Sequence, residues 1–242
     1  MHNEKIALVT GATRGIGLET VRQLASHGVH TLLAGRDRAR AVEAALALQA
    51  QGLPVEAIAL DVTDEAGIAA AAREVGQRHG RLDILVNNAG IFRDDVASTP
   101  SAQTLQAWRE TFDTNLFGLV ATTQAFLPLL RKSAAGRIVN LSSALASLAL
   151  HNDAGSDIYD FKVPAYDASK TAVNAWTVHL AHELRDTPIK VNAVDPGSVK
   201  TDMNQNGELD IATGARGSVL MALLDEAGPT GSYTHLGEVL PW

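Results

Sequence analysis

The chain has 242 residues, 46% of them hydrophobic and 19% charged, with a net charge of −7 and no cysteine. Such a composition supplies ample core material for a globular protein and offers no basic footprint for nucleic acid or an anionic membrane surface. The missing cysteine excludes disulfides, thiolate metal sites and cysteine nucleophiles, and it fits a cytoplasmic location.

The opening MHNEKIALVTG has no basic stretch followed by a cleavage site, so no signal peptide is expected, and no apolar run approaches the length of a membrane span. IALVT (6–10) predicts a buried strand and LETVRQLASHG (18–28) a helix stopped by Gly28. HTLLAG (30–35) predicts a second strand, followed by the alanine-rich helix RARAVEAALALQAQG. VEAIALDV (55–62) predicts a third strand and DEAGIAAAAREVGQRHG a third helix. LDILVNNAG (82–90) predicts a fourth strand, with helices over about 103–131. GRIVNLSS (136–143) predicts a fifth strand, residues 165–185 a helix, and IKVNAVDPG (189–197) a sixth strand. Continuous apolar strands alternating with helices imply a doubly wound parallel α/β sheet covered on both faces. No linker or repeat divides the chain, so one domain over 1–242 is expected. Two turn-rich segments interrupt the rhythm: the stretch after Ser143, with HNDAGSD at its centre, and KTDMNQNGELD (200–210). Both follow strands, where ligand loops of this fold class lie.

TGATRGIG (10–17) joins the first strand to the first helix. Gly11, Gly15 and Gly17 permit a tight turn and close backbone approach, and the helix start offers free N–H groups to a pyrophosphate. The plain alternative is an ordinary strand–helix turn. The second strand ends at AGRD (34–37), where an acidic side chain would select the ribose 2′-OH of NAD. Gly35 stands there instead, beside Arg36, and Arg14 lies in the glycine loop. Two guanidinium forks suit a 2′-phosphate, so NADP (as NADPH) is expected over NAD. Asp37 reads as the N-cap of the next helix.

The spacing T-G-x-x-x-G-x-G resembles that of the short-chain dehydrogenase/reductase family, in its compact single-domain branch. The resemblance continues through seven motifs from the first strand to about Thr201. Y-D-A-S-K (166–170) matches the family's Y-x-x-x-K, with Tyr166 and Lys170 one turn apart on a helix that Pro164 introduces. It implies a Rossmann-type dinucleotide-binding fold. Tyr166 would be the acid/base, Lys170 would lower its pKa and hold the nicotinamide ribose, and Ser143 would orient the carbonyl oxygen. Asn115, in FDTNLFG, would hold a water in a proton relay. Ser142 would be structural. Thr13 and Ile16 would line the glycine loop. Asp61 would bond the adenine amine with Val62 packed on the ring, although Asp61 as a bare residue equally suits a helix cap. NNAG would place Asn87, Asn88, Ala89 and Gly90 beside the cofactor or across the strands. Pro196, Gly197, Val199 and Thr201 would turn the chain under the nicotinamide and hold its carboxamide. The tail GPTGSYTHLGEVLPW resembles carbonyl-reductase-like members and would form a closing edge strand.

The implied reaction is NADPH-dependent reduction of a ketone, aldehyde or quinone, or the reverse. The rivals are a non-catalytic NADP-binding sensor or interaction protein, and an NAD-specific alcohol dehydrogenase. The partner expected is a small-molecule carbonyl or alcohol, with monomer and homo-oligomer both open. Ser143 and Tyr166 stand 23 residues apart, a longer link than in most relatives but one that carbonyl-reductase-like members also lengthen, so the insert is expected to shape the substrate mouth or obstruct tetramer packing. Phe92, Ala144, Leu145 and the 200–210 loop are candidate pocket walls. Tyr159 and Lys162 read as loop residues. His179 and His182 carry no metal motif, and no other metal site is expected. Asp94 and Asp95 read as an exposed, partnerless loop pair, and the Leu and Ala stripes of 39–50 as a core face.

Overall fold

The computed structural model describes residues 4–242. The first three residues, part of the stretch read for a signal peptide, lie outside the described residues. The chain alternates β1 (Ile6–Val9), α1 (Gly15–Ser26), β2 (His30–Gly35), α2 (Arg38–Gln49), β3 (Val55–Ala59), α3 (Glu65–His79) and β4 (Ile84–Asn87). It continues through α4 (Leu105–Phe112), a π-helical turn (Asp113–Phe117) and α5 (Gly118–Leu130) to β5 (Arg137–Leu141). After a short 3₁₀ turn come α6 (Leu148–Asn152), α7 (Pro164–Glu183), β6 (Lys190–Asp195), α8 (Ile211–Ala222), β7 (Tyr233–His235) and β8 (Glu238–Val239).

The strands form one sheet in the order β3-β2-β1-β4-β5-β6-β7-β8. All neighbours are parallel except β7 and β8. Apolar side chains pack on both faces: Leu8, Leu85 and Ile138 with Val75 and Phe126 on one, Val9, Val86 and Val139 with Val21 and Leu24 on the other. Burial on both faces explains why the central strands carry unbroken apolar runs. The strand order reverses between β1 and β4, which opens a crevice at their carboxyl ends where ligands of this architecture sit.

Several boundaries differ from the sequence expectations. Helix α1 starts three residues early, inside the glycine loop. Strand β5 stops at Leu141, so Ser142 and Ser143 lie just past it. The insert holds a 3₁₀ turn and α6 rather than loop alone. The helical stretch 105–130 is broken by the π-helical turn, whose extra residue swings Asn115 inward to full burial. The tail makes β7, a parallel strand, and β8 doubles back on it as the outermost strand. On α2, Ala41, Ala45 and Leu48 form the core face, whereas Val42 and Leu46 point to solvent, contrary to the expected stripe.

Candidate active site

Glycine geometry builds the first wall. Gly11 has φ +62°, and a Cβ on Gly17 would stand 2.4 Å from Asn88 Nδ2 and 2.7 Å from Gly11 O, so a side chain at Gly17 has no room. Thr10 locks this wall to the next loop. Its Oγ1 accepts from Asn88 N and Ala89 N, and Asn88 Nδ2 donates to Thr10 O and Gly11 O. Thr13 packs against Gly35. The start of α1 has no side-chain cap at Arg14, so its first N–H groups are left to a ligand, and a Cβ on Gly15 would meet only open space. That cradle fits a dinucleotide pyrophosphate.

The phosphate-selecting residues are arranged less simply. Arg36 follows β2 and is exposed. Asp37 caps α2, accepting from Ala39 N and Arg40 N, as expected. Arg14 departs from the expectation that it faces a 2′-phosphate: its Nη1 lies 2.7 Å from Asp202, so it bridges to the 200–210 loop through solvent-exposed side chains. Asp61 caps a local turn through Thr63 N and Oγ1, while Asp64, not Asp61, caps α3. Val62 is buried beside Gly118. Asn87 ties strands and helix together, donating to Thr123 Oγ1 and Asn140 Oδ1.

The reactive end forms where β4, β5, β6 and α7 converge. Lys170 is buried, and its Nζ donates to Leu141 O at 2.7 Å and lies 5.7 Å from the Tyr166 ring centroid. A Cβ on Gly90 would stand 3.6 Å from Lys170 Nζ and 3.4 Å from Asn115 Oδ1, so these three residues adjoin. Asn115 accepts from Ile91 N, donates to Ile91 O and also donates to Ser169 Oγ. The Ser143 hydroxyl lies beside the Tyr166 hydroxyl, where it favours the ionised phenol. Ser142 turns the other way and donates to Asn174 Oδ1, which makes it the structural member of the pair. Pro196 and Gly197 turn the chain after β6, with Gly197 at φ +78°. Val199 is buried and bridges to Leu209, and Thr201 closes a turn with Asn204.

Burial governs the charges. It pushes Tyr166 up to about 12, against the Ser143 hydrogen bond, with the Asp195 and Asp167 carboxylates adding to the rise. Burial also brings Lys170 down to about 8. Desolvation sets the direction of the phenol's shift in the folded chain. Tyr166 is held protonated and ready to donate.

Sequence reasoning missed the supports. Asp94 is buried, and its two carboxylate oxygens accept from Ala165 N and Tyr166 N. The expected exposed, partnerless residue is instead the N-terminal cap of α7, supplied from another loop because Val163 has no capping side chain. Asp95 is exposed, as expected, and binds Ala97 N and Ser98 Oγ. The Tyr233 hydroxyl donates to Ser143 O, and Tyr233 stacks near Trp242. Asp195 accepts from Gly197 N and Ala144 N and faces His235. The contacts of Asp94 with α7, of Tyr233 with Ser143 and of Asp195 with His235 span 40 to 90 residues, and no local spacing announces them. In the insert, Tyr159 and Lys162 lie outside any helix, as expected. Lys162 Nζ is nevertheless engaged, with the Nδ1 and O of His151. Phe92 packs 5.4 Å from the Tyr166 ring, and Leu148, Tyr159, Phe161 and Met203 expose apolar surface on the insert and the 200–210 loop.

A family model described as short chain dehydrogenase matches residues 5–211. The chain is 35% identical to short-chain dehydrogenase/reductase 1 of Saponaria officinalis, covering 99% of this chain and 96% of the relative. It is also 35% identical to a (+)-neomenthol dehydrogenase of Arabidopsis thaliana, covering 95% of each. An NADPH-bound carbonyl reductase from chicken fatty liver superposes with a TM-score of 0.85 at 31% identity, covering 99% of both chains.

Proposed function

This chain belongs to the short-chain dehydrogenase/reductase family, and from that premise we propose that it is a single-domain NADPH-dependent reductase of an apolar ketone, aldehyde or quinone. One observation carries the reading: the Ser143 hydroxyl, the Tyr166 hydroxyl and the Lys170 ammonium meet at the carboxyl edge of the sheet, beside the glycine cradle. Bound NADPH supplies the hydride. Gly11, Thr13, Gly15, Ile16, Gly17 and Asn88 to Gly90 shape the surface that receives the cofactor, with Asp61 and Val62 at its adenine end. Pro196, Gly197, Val199 and Thr201 close its nicotinamide end.

Carbonyl reduction builds negative charge on oxygen, which a positioned donor must meet. Ser143 donates to that oxygen, and Tyr166 delivers its proton to it. A phenol held near 12 is a poor base and a serviceable acid toward an alkoxide, which favours the reducing direction. Lys170, charged below about 8, attracts the phenolate left behind and binds the ribose. Asn115 keeps the 91 backbone and Ser169 in place beside the ammonium and, as proposed here, holds the relay water. The carbonyl-reductase and neomenthol-dehydrogenase relatives support a hydrophobic carbonyl substrate, as do the exposed apolar side chains Leu148, Phe161 and Met203 on the segments that follow β5 and β6.

The exposed Arg36, with Gly35 in place of an acid, favours NADPH over NADH. The deciding experiment follows coenzyme oxidation with a panel of ketones, aldehydes and quinones, using NADPH and NADH, in wild type and Arg36→Ala. NADPH preference that collapses in the variant is expected. A wild-type preference for NADH overturns the coenzyme assignment, and no carbonyl-dependent oxidation with either coenzyme favours a non-catalytic binding protein.

A further inference from the structure

At the end of the sheet opposite Ser143 and Tyr166, three side chains that the proposed reaction does not use converge. His30 begins β2, Glu56 is the second residue of β3, and His79 ends α3. Leu32 pairs with Glu56 in the ladder, and side chains alternate along a strand, so His30 and Glu56 share the face that α3 covers. One ligand atom from each of the three residues lies within 4.8 Å of the others. His30 Nε2 is 2.8 Å from Glu56 Oε1, and His79 Nε2 is 3.7 Å from Glu56 Oε2. The two imidazoles stand 5.4 Å apart, tilted by 45°.

We propose that His30, Glu56 and His79 form a binding site for a zinc-class divalent cation that fastens the edge strand β3 to β2 and α3. Two imidazoles and one carboxylate are the donor set of open tetrahedral zinc sites, in which water takes the fourth position. Ligands at about 2.0 Å from such an ion stand about 3.3 Å from one another, so the three side chains need only small rotations to converge. A second observation points the same way. His79 Nε2 is shielded from solvent and has no hydrogen-bond partner among the described residues, which leaves this nitrogen's lone pair or proton unsatisfied beside the other two side chains. Arg78 now contacts Glu56, but its other nitrogen is 3.1 Å from Glu74, so it has a second carboxylate to hold when a cation takes Glu56. The site lies far along the strands from the carboxyl edge, which gives the ion a structural role.

Zinc chloride titrated into tag-free, chelator-treated protein in a calorimeter tests this. One saturable ion per chain is expected, and His30→Gln and His79→Gln, each checked for folding by circular dichroism, should each weaken it by at least about tenfold. Absence of saturable binding overturns the proposal, as does unchanged affinity in either folded variant. Zinc-edge anomalous diffraction from wild-type crystals decides it independently of the variants: an ion among the three side chains supports it, and an ion elsewhere sinks it.

Discussion

The turn-rich segment 153–163 and the helix α7 that follows it each hold a tyrosine followed closely by a lysine. In the first, Lys162 Nζ lies 5.2 Å from the Tyr159 ring centroid; in the second, Lys170 Nζ lies 5.7 Å from that of Tyr166. The contact distances scarcely separate them. Burial does. Tyr159 is 40% exposed, whereas Lys170 is 3% exposed and depressed to about 8. Lys162 spends its donors on His151, and Lys170 stands between the Leu141 carbonyl and the Gly90 loop. Of the two Tyr–Lys contacts, only the one that desolvation shifts on both sides, and to which a strand end brings a third hydroxyl, is assigned a role in the proposed reaction.

The strongest way to break this contrast is to remove each hydroxyl. Tyr166→Phe is expected to lower kcat for carbonyl reduction by about 10²–10⁴-fold, while Tyr159→Phe leaves kcat unchanged in the same coenzyme-oxidation assay. Comparable losses from both would sink the distinction. Next comes the cap. Asp94→Ala deprives Ala165 N and Tyr166 N of their acceptor, and a lost helix cap costs about 0.5–2 kcal/mol. Thermal unfolding should show a lower Tm, and kcat should fall with it because Tyr166 sits in that first turn. An unchanged Tm would mean that α7 does not depend on Asp94.

The pH profile sharpens the contrast further. Lys170 carries its charge below about 8, so kcat/KM for reduction should decline as pH rises through that value. A profile flat to pH 10 would dissociate the ammonium from the reaction. The smallest effect concerns Asp167, next to Tyr166. Burial raises its carboxyl from 3.8 to about 7, against a hydrogen bond from Val163 N. Below 3.8 both folded and unfolded chains hold the proton. Between there and 7 the folded chain alone holds it, so this group's contribution to stability falls as pH rises across that window and is lowest above 7. Tm measured from pH 4 to 7 should therefore be flatter in Asp167→Asn than in wild type; parallel curves would contradict the raised carboxyl.

How much was legible varies by element. The parallel sheet followed from strands such as ALV, LLA and ILV, whose unbroken apolar runs require burial on both faces. The glycine loop was legible from its place between a strand and a helix, whereas Ser143 and the Y-D-A-S-K turn stood out only through the family resemblance, because a Tyr and a Lys one turn apart meet by chance on many helices. Asn115 was legible as an oddity in a helix, but the π-helical turn that buries it was not. Asp94 was misread for a clear reason: nothing around residue 94 records that the N–H groups it serves lie 71 and 72 residues later. Tyr233 beneath Ser143, 90 residues away, and the meeting of His30, Glu56 and His79 are of the same kind.

Local chemistry written in the order of residues therefore determined the sheet and the glycine turn between its first strand and helix, and the family resemblance singled out Tyr166 and Lys170. The tertiary structure alone decided which carboxylate caps α7, that Arg14 leans on Asp202, and that burial pushes Tyr166 up. The physical reason is that capping partners and desolvation depend on distances and water exclusion set by the packing of remote segments. No periodicity along the chain encodes those quantities.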